Sequence, residues 1–374
     1  MDNFFEDKVI LITGAAGTVG KELIKQLLPF NFREIRAVDN NESELFLLGQ
    51  EYAYSEQRIT VYLGDVRDYK KMENVCAGVD ILFHCAAFKH VFLAEYNPFD
   101  AVQTNLMGAN NVIQAAMHNR VSRVIFTSSD KAVNPTSVMG TSKLMGERLI
   151  TSANIVSFSG HQIFSSVRFG NVIGSRGSVV PIFIDQIKKG GPITLTSKDM
   201  TRFFMTIKEA ALFVIDTARR ACGGEVFVTK MPVMRIEDLA QAMVDLMAPL
   251  YGYAPEDIPI KTIGIKCGEK LYEELLSAEE INRSLEMSDM FVILPALRSF
   301  YHKINYDFGP DARPNSITRP YISASEEPMS LEQIKTFLID NDILGEPLLQ
   351  THKPVVERLL PGMYQGLSSG KMAG

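Results

Sequence analysis

A chain of 374 residues, 46% hydrophobic and 22% charged, has the material for a large core and is not an extended disordered polymer. Its formal charge of -6 lacks the basic footprint of nucleic-acid binding, so nucleic acid is excluded as a partner and any phosphate must be held by local backbone amides and a few arginines. Cys76, Cys85, Cys222 and Cys267 are too widely spaced for a metal cage or a disulfide frame; they read as free thiols of a reducing cytoplasm, and no metal is expected.

The first residues have no basic start or small-residue cleavage site, and no apolar run is long enough to span a bilayer, so the expectation is a cytoplasmic protein without a membrane span. Lys8–Thr13 is a β-rich apolar run, and Val19–Leu28 carries apolar residues at helical spacing ahead of Pro29. The alternation repeats through strand-like Ile35–Val38, helix-like Glu42–Tyr54, strand-like Ile59–Leu63, helix-like Tyr69–Val75 and strand-like Ile81–Cys85. Pro98–Asn119 reads as one long helix, Arg123–Ser128 as a strand, Met139–Ala153 as a helix and Ile163–Phe169 as a sixth strand. Such alternation predicts an α/β fold with a Rossmann-type, doubly wound parallel sheet.

Beyond Gly170, glycines and Pro192 punctuate shorter elements, which predicts a smaller mixed α/β lobe above the carboxyl edge of the sheet. The expected division is a dinucleotide-binding core over 1–170, a substrate lobe over 171–345 from which segments can return to the core, and a tail over 346–374. Ligands of such sheets bind outside the carboxyl ends of the strands, which places substrate between the lobes.

Gly14, Gly17 and Gly20 are spaced three apart between a strand and a helix, so backbone can approach a pyrophosphate at the helix N-terminus, with Thr18 and Val19 opening that helix. Asp39 ends the second strand about 20 residues later, where a carboxylate can accept from an adenosine ribose. No arginine stands beside it, which favours NAD over NADP. A cap on the following helix is the competing role for Asp39. Asp65 and Val66 close the third strand at the expected adenine end, and Ala86 and Ala87 close the fourth with side chains small enough for cofactor to pass.

Ser129-Asp130-Lys131 follows the fifth strand, and Met139-Gly140-Thr141-Ser142-Lys143 opens the next helix. A Tyr-x-x-x-Lys pattern here would mark an ordinary short-chain dehydrogenase; the methionine removes that base, while Asp130 and Lys131 offer two titratable groups. Lys143 lies one helical turn after Met139 and can point to the same side.

These segments, with Arg168-Phe169-Gly170-Asn171-Val172, Asp199-Met200-Thr201-Arg202-Phe203 and Gly268-Glu269-Lys270-Leu271-Tyr272-Glu273-Glu274, resemble bacterial UDP-N-acetylglucosamine 4,6-dehydratases of polysaccharide biosynthesis, CapD-like extended short-chain dehydrogenase/reductases. The likeness runs from about Lys8 to Pro295. Some members carry a membrane-spanning N-terminal region, and this chain resembles only their catalytic part; members with methionine for tyrosine are familiar.

The resemblance implies that NAD takes hydride from sugar carbon 4, water leaves across carbons 5 and 6, and hydride returns to carbon 6. It makes Lys131 the base over carbon 5 and Asp130 the acid beside the carbon 6 hydroxyl. Those tasks call for a lowered lysine and a raised aspartate pKa, whereas an ion pair between them pushes both the other way. Lys143 is expected to hold the nicotinamide ribose, and Ser129 is a candidate relay where the family usually has threonine. On the substrate side the resemblance points to Lys89, His90, Asn171, Arg202 and Glu269. Here Phe92 replaces the family's proline, and Lys266-Cys267 its Arg-Pro. Leu271–Leu276 reads as an amphipathic helix. A homo-oligomer through the helices of 98–119 and 139–153 is also implied. The competing functions are a UDP-sugar 4-epimerase and a nucleotide-binding regulator without turnover.

Overall fold

The computed structural model describes residues 3–55, 58–156, 162–266, 268–297 and 304–345. The expected tail over 346–374, and Cys267, lie outside them.

Strand β1 (Val9–Thr13) is buried along its whole length, as suits a central strand covered on both faces. Ile10 and Ile12 enter one apolar cluster, Val9 and Leu11 the other, following the two-residue period of a strand. Helix α1 (Thr18–Leu27) lays Leu23, Ile24 and Leu27 on the sheet. Then come β2 (Glu34–Asp39), α2 (Glu42–Glu51), β3 (Ile59–Leu63), α3 (Tyr69–Val75) and β4 (Ile81–His84). Strand β1 pairs in parallel with β2 on one side and β4 on the other. Strand order therefore reverses at β1/β4, and a crevice opens at their carboxyl ends.

The stretch read as one helix over Pro98–Asn119 is helical throughout but not uniform. Short helices α4 (Val91–Tyr96) and α5 (Pro98–Ala101) lead into a π-helical stretch, Val102–Met107, and then α6 (Gly108–His118). The wider turn has an identifiable function: buried Asn105 accepts from Phe88 N at 2.7 Å, donates to Phe88 O at 3.0 Å and donates to Ser142 Oγ at 2.8 Å. It thus fixes the loop after β4 against the next helix. Strand β5 (Arg123–Thr127), helix α7 (Val138–Val156) and strand β6 (Ile163–Arg168) follow.

The six expected strands occupy consecutive places in the sheet, which continues past them. Val226–Thr229 adds a further parallel strand on β6, and Met290–Ile293, Ser284–Glu286 and Arg313–Pro314 extend the edge in antiparallel fashion. A third apolar cluster lies within 173–344, built on helices Val179–Lys188, Ile236–Met247 and Leu331–Asp340.

Leu271–Leu276 is not a helix. Glu274–Leu276 is extended and pairs with Tyr321–Ile322, while the carbonyls of Lys270 and Leu271 accept from the Arg202 guanidinium. Local periodicity is overridden there by long-range partners. Among the described residues, no helix is long and apolar enough to cross a membrane. Cys76 is buried, and Cys76, Cys85 and Cys222 are free thiols.

Candidate active site

At the end of β1 the chain turns through Gly14, φ +68°, where a Cβ would stand 2.7 Å from Ala86 N. A Cβ on Gly20 would strike the Gly14 carbonyl. Both positions therefore require glycine, the first for its left-handed backbone and close approach, the second for seating α1 under the turn. Gly17 caps α1 without a side-chain bond, leaving the amides of the first turn open to an anion.

Asp39 accepts from Ala16 N at 3.0 Å and from Asn41 N at 2.9 Å, so its carboxylate is aimed by the glycine turn itself. Asn41, not Asp39, caps α2 by accepting from Glu44 N. Asp65 is held by Arg67, whose Nε and Nη2 stand 3.0 and 2.6 Å from Oδ2; that hydrogen bonding lowers its pKa. These residues, with Thr18, Val19, Val66, Ala86 and Ala87, line a cavity of about 700 Å³ over the β1/β4 crevice.

Of the residues expected to react, Ser129, Lys131 and Lys143 line the same cavity. Lys143, 6% exposed, donates to Thr127 O at 2.9 Å, and its amine lies 4.8 Å from the centre of the Phe126 ring. Burial lowers its pKa to about 8. Met139 also lines the cavity and packs with Ala94 and Ala101, so an apolar thioether fills the place of the absent phenol.

Asp130 is fully buried. Ser129 Oγ donates to its Oδ1 at 2.7 Å, and Lys131 Nζ donates to the same oxygen at 3.0 Å. A second carboxylate, Glu273 Oε1, approaches Lys131 Nζ to 3.3 Å. Burial alone would lower the Lys131 pKa, but the charges of Asp130 and Glu273 outweigh it and the net shift is upward. The lowered value expected of a lysine base is thus not found: the ion pair prevails over desolvation. Glu273 is itself raised, chiefly by burial.

Lys89, His90 and Asn171 line the cavity. Lys89 donates to Arg176 O at 2.9 Å, the His90 ring lies against Gly177, and burial lowers the pKa of both. Arg202, Glu269 and the fully buried Asp130 do not line it. The Arg202 guanidinium is committed to Thr201 O, Leu271 O and Lys270 O at 2.7, 3.1 and 2.7 Å, and Glu269 accepts from Lys266 N. Arg202 thus shapes the 270–273 loop.

Sequence reasoning passed over three residues at this place: Glu273, which reaches Lys131, and Ser128 and Arg176, which line the cavity. Glu273 stood inside a quoted motif and Ser128 beside Ser129; Arg176 carried no signal. Four buried oxygens, Ser128 Oγ, Asp130 Oδ2, Asn171 Oδ1 and Glu273 Oε2, have no partner among the described residues, and Ser128 and Asn171 line the cavity. Unpaired acceptors and hydroxyls in such number suit a polar ligand.

Residues 10–295 match the model of a family described as polysaccharide biosynthesis protein. The chain is 51% identical to an uncharacterized membrane protein of Methanocaldococcus jannaschii, over 79% of this chain and 88% of that one. It is 37% identical to a UDP-N-acetylglucosamine 4,6-dehydratase (inverting) of Campylobacter jejuni, over 82% and 88%, and 34% identical to a UDP-glucose 4-epimerase of Rickettsia massiliae, over 92% and 99%. Among solved structures, Pen from Bacillus thuringiensis superposes with a TM-score of 0.85 at 39% identity, covering 91% of this chain and 100% of that one. Remoter structures under 25% identical, one of them a dTDP-glucose 4,6-dehydratase with NAD bound, share the fold. The chain belongs to the polysaccharide biosynthesis protein family, among the nucleotide-sugar dehydratases and epimerases.

Proposed function

We propose that the chain is a nucleotide-sugar 4,6-dehydratase that acts on UDP-N-acetylglucosamine and uses NAD. The observation that carries this reading is the Asp130–Lys131 pair, 3.0 Å apart beside the cavity, next to a methionine where a tyrosine base would stand. The glycine cradle and the aimed Asp39 carboxylate fit a dinucleotide whose ribose hydroxyls are unphosphorylated. When bound, NAD supplies the acceptor for the carbon 4 hydrogen and its return to carbon 6.

The protein's task is proton traffic. Transfer of one proton across the pair, from Lys131 Nζ to Asp130 Oδ1, yields a neutral amine and a neutral acid, the two forms elimination needs. Substrate over the pair excludes water and favours these neutral forms over the ion pair. Lys131 then takes the carbon 5 proton, and Asp130 gives its proton to the departing carbon 6 hydroxyl; when hydrogen returns to carbon 6, carbon 5 takes up a proton again, which leaves Lys131 neutral for the next turnover. Water has left with one proton from Asp130, while the carbon 4 hydroxyl has lost one in becoming a ketone. Ser129, lining the cavity and donating to Asp130 at 2.7 Å, connects the two, so the proton lost at oxygen 4 replenishes the acid. Lys143 keeps positive charge near the forming alkoxide and orients the cofactor ribose.

Purified protein incubated with UDP-N-acetylglucosamine is expected to give a product lighter by one water. An isomer of unchanged mass would instead support a 4-epimerase, the reading favoured by the likeness to the Rickettsia enzyme. Bound dinucleotide with no change in any nucleotide sugar would leave a non-catalytic binding protein. The expected homo-oligomer is supported by apolar Phe99, Met107 and Met145 exposed on the helices of 98–118 and 138–156; light scattering measures it.

A further inference from the structure

In the dehydratase reading Asp130 becomes an anion only once its proton has gone to the leaving hydroxyl, so an ammonium formed on Lys131 ahead of that transfer has no anion in Asp130. When Asp130 carries the proton it will give to the leaving hydroxyl, it is neutral. Lys131 nevertheless becomes an ammonium as it removes the carbon 5 hydrogen, in a site largely shielded from water. An ammonium formed there needs an anion.

Glu273 stands where that anion is required. It is 2% exposed, with Oε1 3.3 Å from Lys131 Nζ and 3.6 Å from Arg202 Nε. Its other neighbour does not consume it: Arg202 already donates to three backbone carbonyls and is the more distant of the two cations. The backbone of Glu273 is fixed on both sides, its N–H donating to Ser323 Oγ and its carbonyl accepting from Ser323 N, each at 2.9 Å. The 268–274 loop is further tied to the reacting segment by Lys270 Nζ on Val133 O and by Asn134 Nδ2 on Glu274 Oε2, both at 2.8 Å. These contacts bring a buried carboxylate, with one oxygen unpartnered, to an amine 142 positions away in sequence.

We propose that Glu273 is the counter-ion of the reacting lysine: ionised while Asp130 is protonated, it stabilises the Lys131 ammonium formed as the carbon 5 hydrogen leaves. The step balances within named atoms. The carbon 5–hydrogen bond breaks and an Nζ–hydrogen bond forms; the electron pair moves toward the ketone and expels the carbon 6 oxygen, which takes the Asp130 proton. Glu273 neither gains nor loses a proton and acts as a positioning residue. The charged groups facing Lys131 are Asp130 on its own turn, Glu273 on the 268–274 loop and Arg202 on the strand Thr201–Met205.

The inference rests on the dehydratase reading, and its test separates the two. The first readout needs no substrate: the pH dependence of acylation of Lys131, whose side chain is 27% exposed, followed by mass spectrometry. Removing an anion beside an ammonium eases its deprotonation, so Glu273→Gln is expected to move the labelling midpoint of Lys131 to lower pH, with Glu273→Asp restoring part of the shift. An unmoved midpoint overturns the inference. The second readout is exchange of the carbon 5 hydrogen with deuterated solvent in UDP-N-acetylglucosamine. Glu273→Gln is expected to slow it about a hundredfold at its optimum and to shift the ascending limb of its pH profile downward. Full-rate exchange in Glu273→Gln, with wild-type protein active, overturns the inference and leaves the dehydratase reading standing. Wild-type protein that releases no water from the sugar fails the dehydratase reading, whatever the labelling shows. Undiminished dinucleotide binding by each variant confirms that the fold is intact.

Discussion

Arg176 Nη2 lies 2.6 Å from Glu44 Oε2, a bond between the loop after Asn171–Val172 and the first turn of α2, at the rim of the cavity that Arg176 lines. The Arg176 amide faces Thr18 Oγ1 at 3.5 Å and its carbonyl accepts from Lys89, so the 174–178 segment straps the glycine turn. Hydrogen bonding to Arg176, then to Lys21, holds the Glu44 carboxyl down at about 2. Arg176→Ala is expected to quicken dinucleotide release several-fold in stopped-flow measurements without moving the unfolding temperature, because an exposed ion pair adds little to stability.

Lys143 gives a pH dependence of definite sign. Its folded pKa of about 8 lies below its ordinary 10.5, so the native state binds fewer protons than the unfolded chain between those values. Stability contributed through this residue should therefore rise as pH climbs from about 8 to 10.5. Below pH 8 the buried ammonium costs up to about 3 kcal/mol, a cost Lys143→Met removes. Urea midpoints of wild type and Lys143→Met, measured without cofactor, should converge as pH rises; parallel curves would refute the assignment.

Gly14→Ala should damage both fold and binding. The new methyl would meet Ala86 N at 2.7 Å on a backbone of φ +68°, and left-handed strain alone is worth about 1–2 kcal/mol. Denaturant unfolding and dinucleotide titration should both report the loss.

Lys131→Ala should abolish carbon 5 exchange with solvent while leaving dinucleotide affinity within about twofold, since Lys131 meets the carboxylates and not the glycine cradle. NMR of product formed in deuterated water measures this directly and reports whether carbon 5 is retained or inverted.

Arg168 is 1% exposed and lies between Glu147 of α7 and Glu280, with Nη2 2.7 Å from Glu147 Oε2 and 3.0 Å from Glu280 Oε1. The pairing outweighs burial and holds Glu280 down at about 2. Arg168→Ala leaves buried Glu147 without its cation and Glu280 with only Ser277 and the more distant Arg283, and should cost about 3–5 kcal/mol in urea unfolding. The loss should shrink as pH falls toward the ordinary carboxylate range, where protonation relieves the orphaned charges.

What the sequence made legible follows its local signals. Strands β1 to β6 and the glycine turn repeat a pattern that neighbouring residues specify by themselves, and Asp130, Lys131 and Lys143 lie within 14 positions of one another. Glu273 was hidden because it arrives through a loop 142 positions away, held by Ser323 and Arg202. Leu271–Leu276 misled for the same reason: its apolar spacing suits a helix, but the hydrogen bonds that claim its backbone come from Arg202 and the Tyr321–Ile322 strand. The protonation of Lys131 was equally out of reach, since it depends on how two carboxylates divide one amine in space.

The antiparallel extension of the sheet fixes where the loop of Glu273 stands. Only a few residues beyond Glu273, the chain passes Glu280, pinned by Arg168, and re-enters the large sheet at Ser284–Glu286. The segment that carries Glu273 is therefore continuous with a strand of the same sheet that carries the glycine turn. The loop that brings Glu273 to Lys131 is anchored on both sides, by Ser323 and by the pairing of Ser284–Glu286 in the large sheet, and this sets the spacing between the lysine and its second carboxylate.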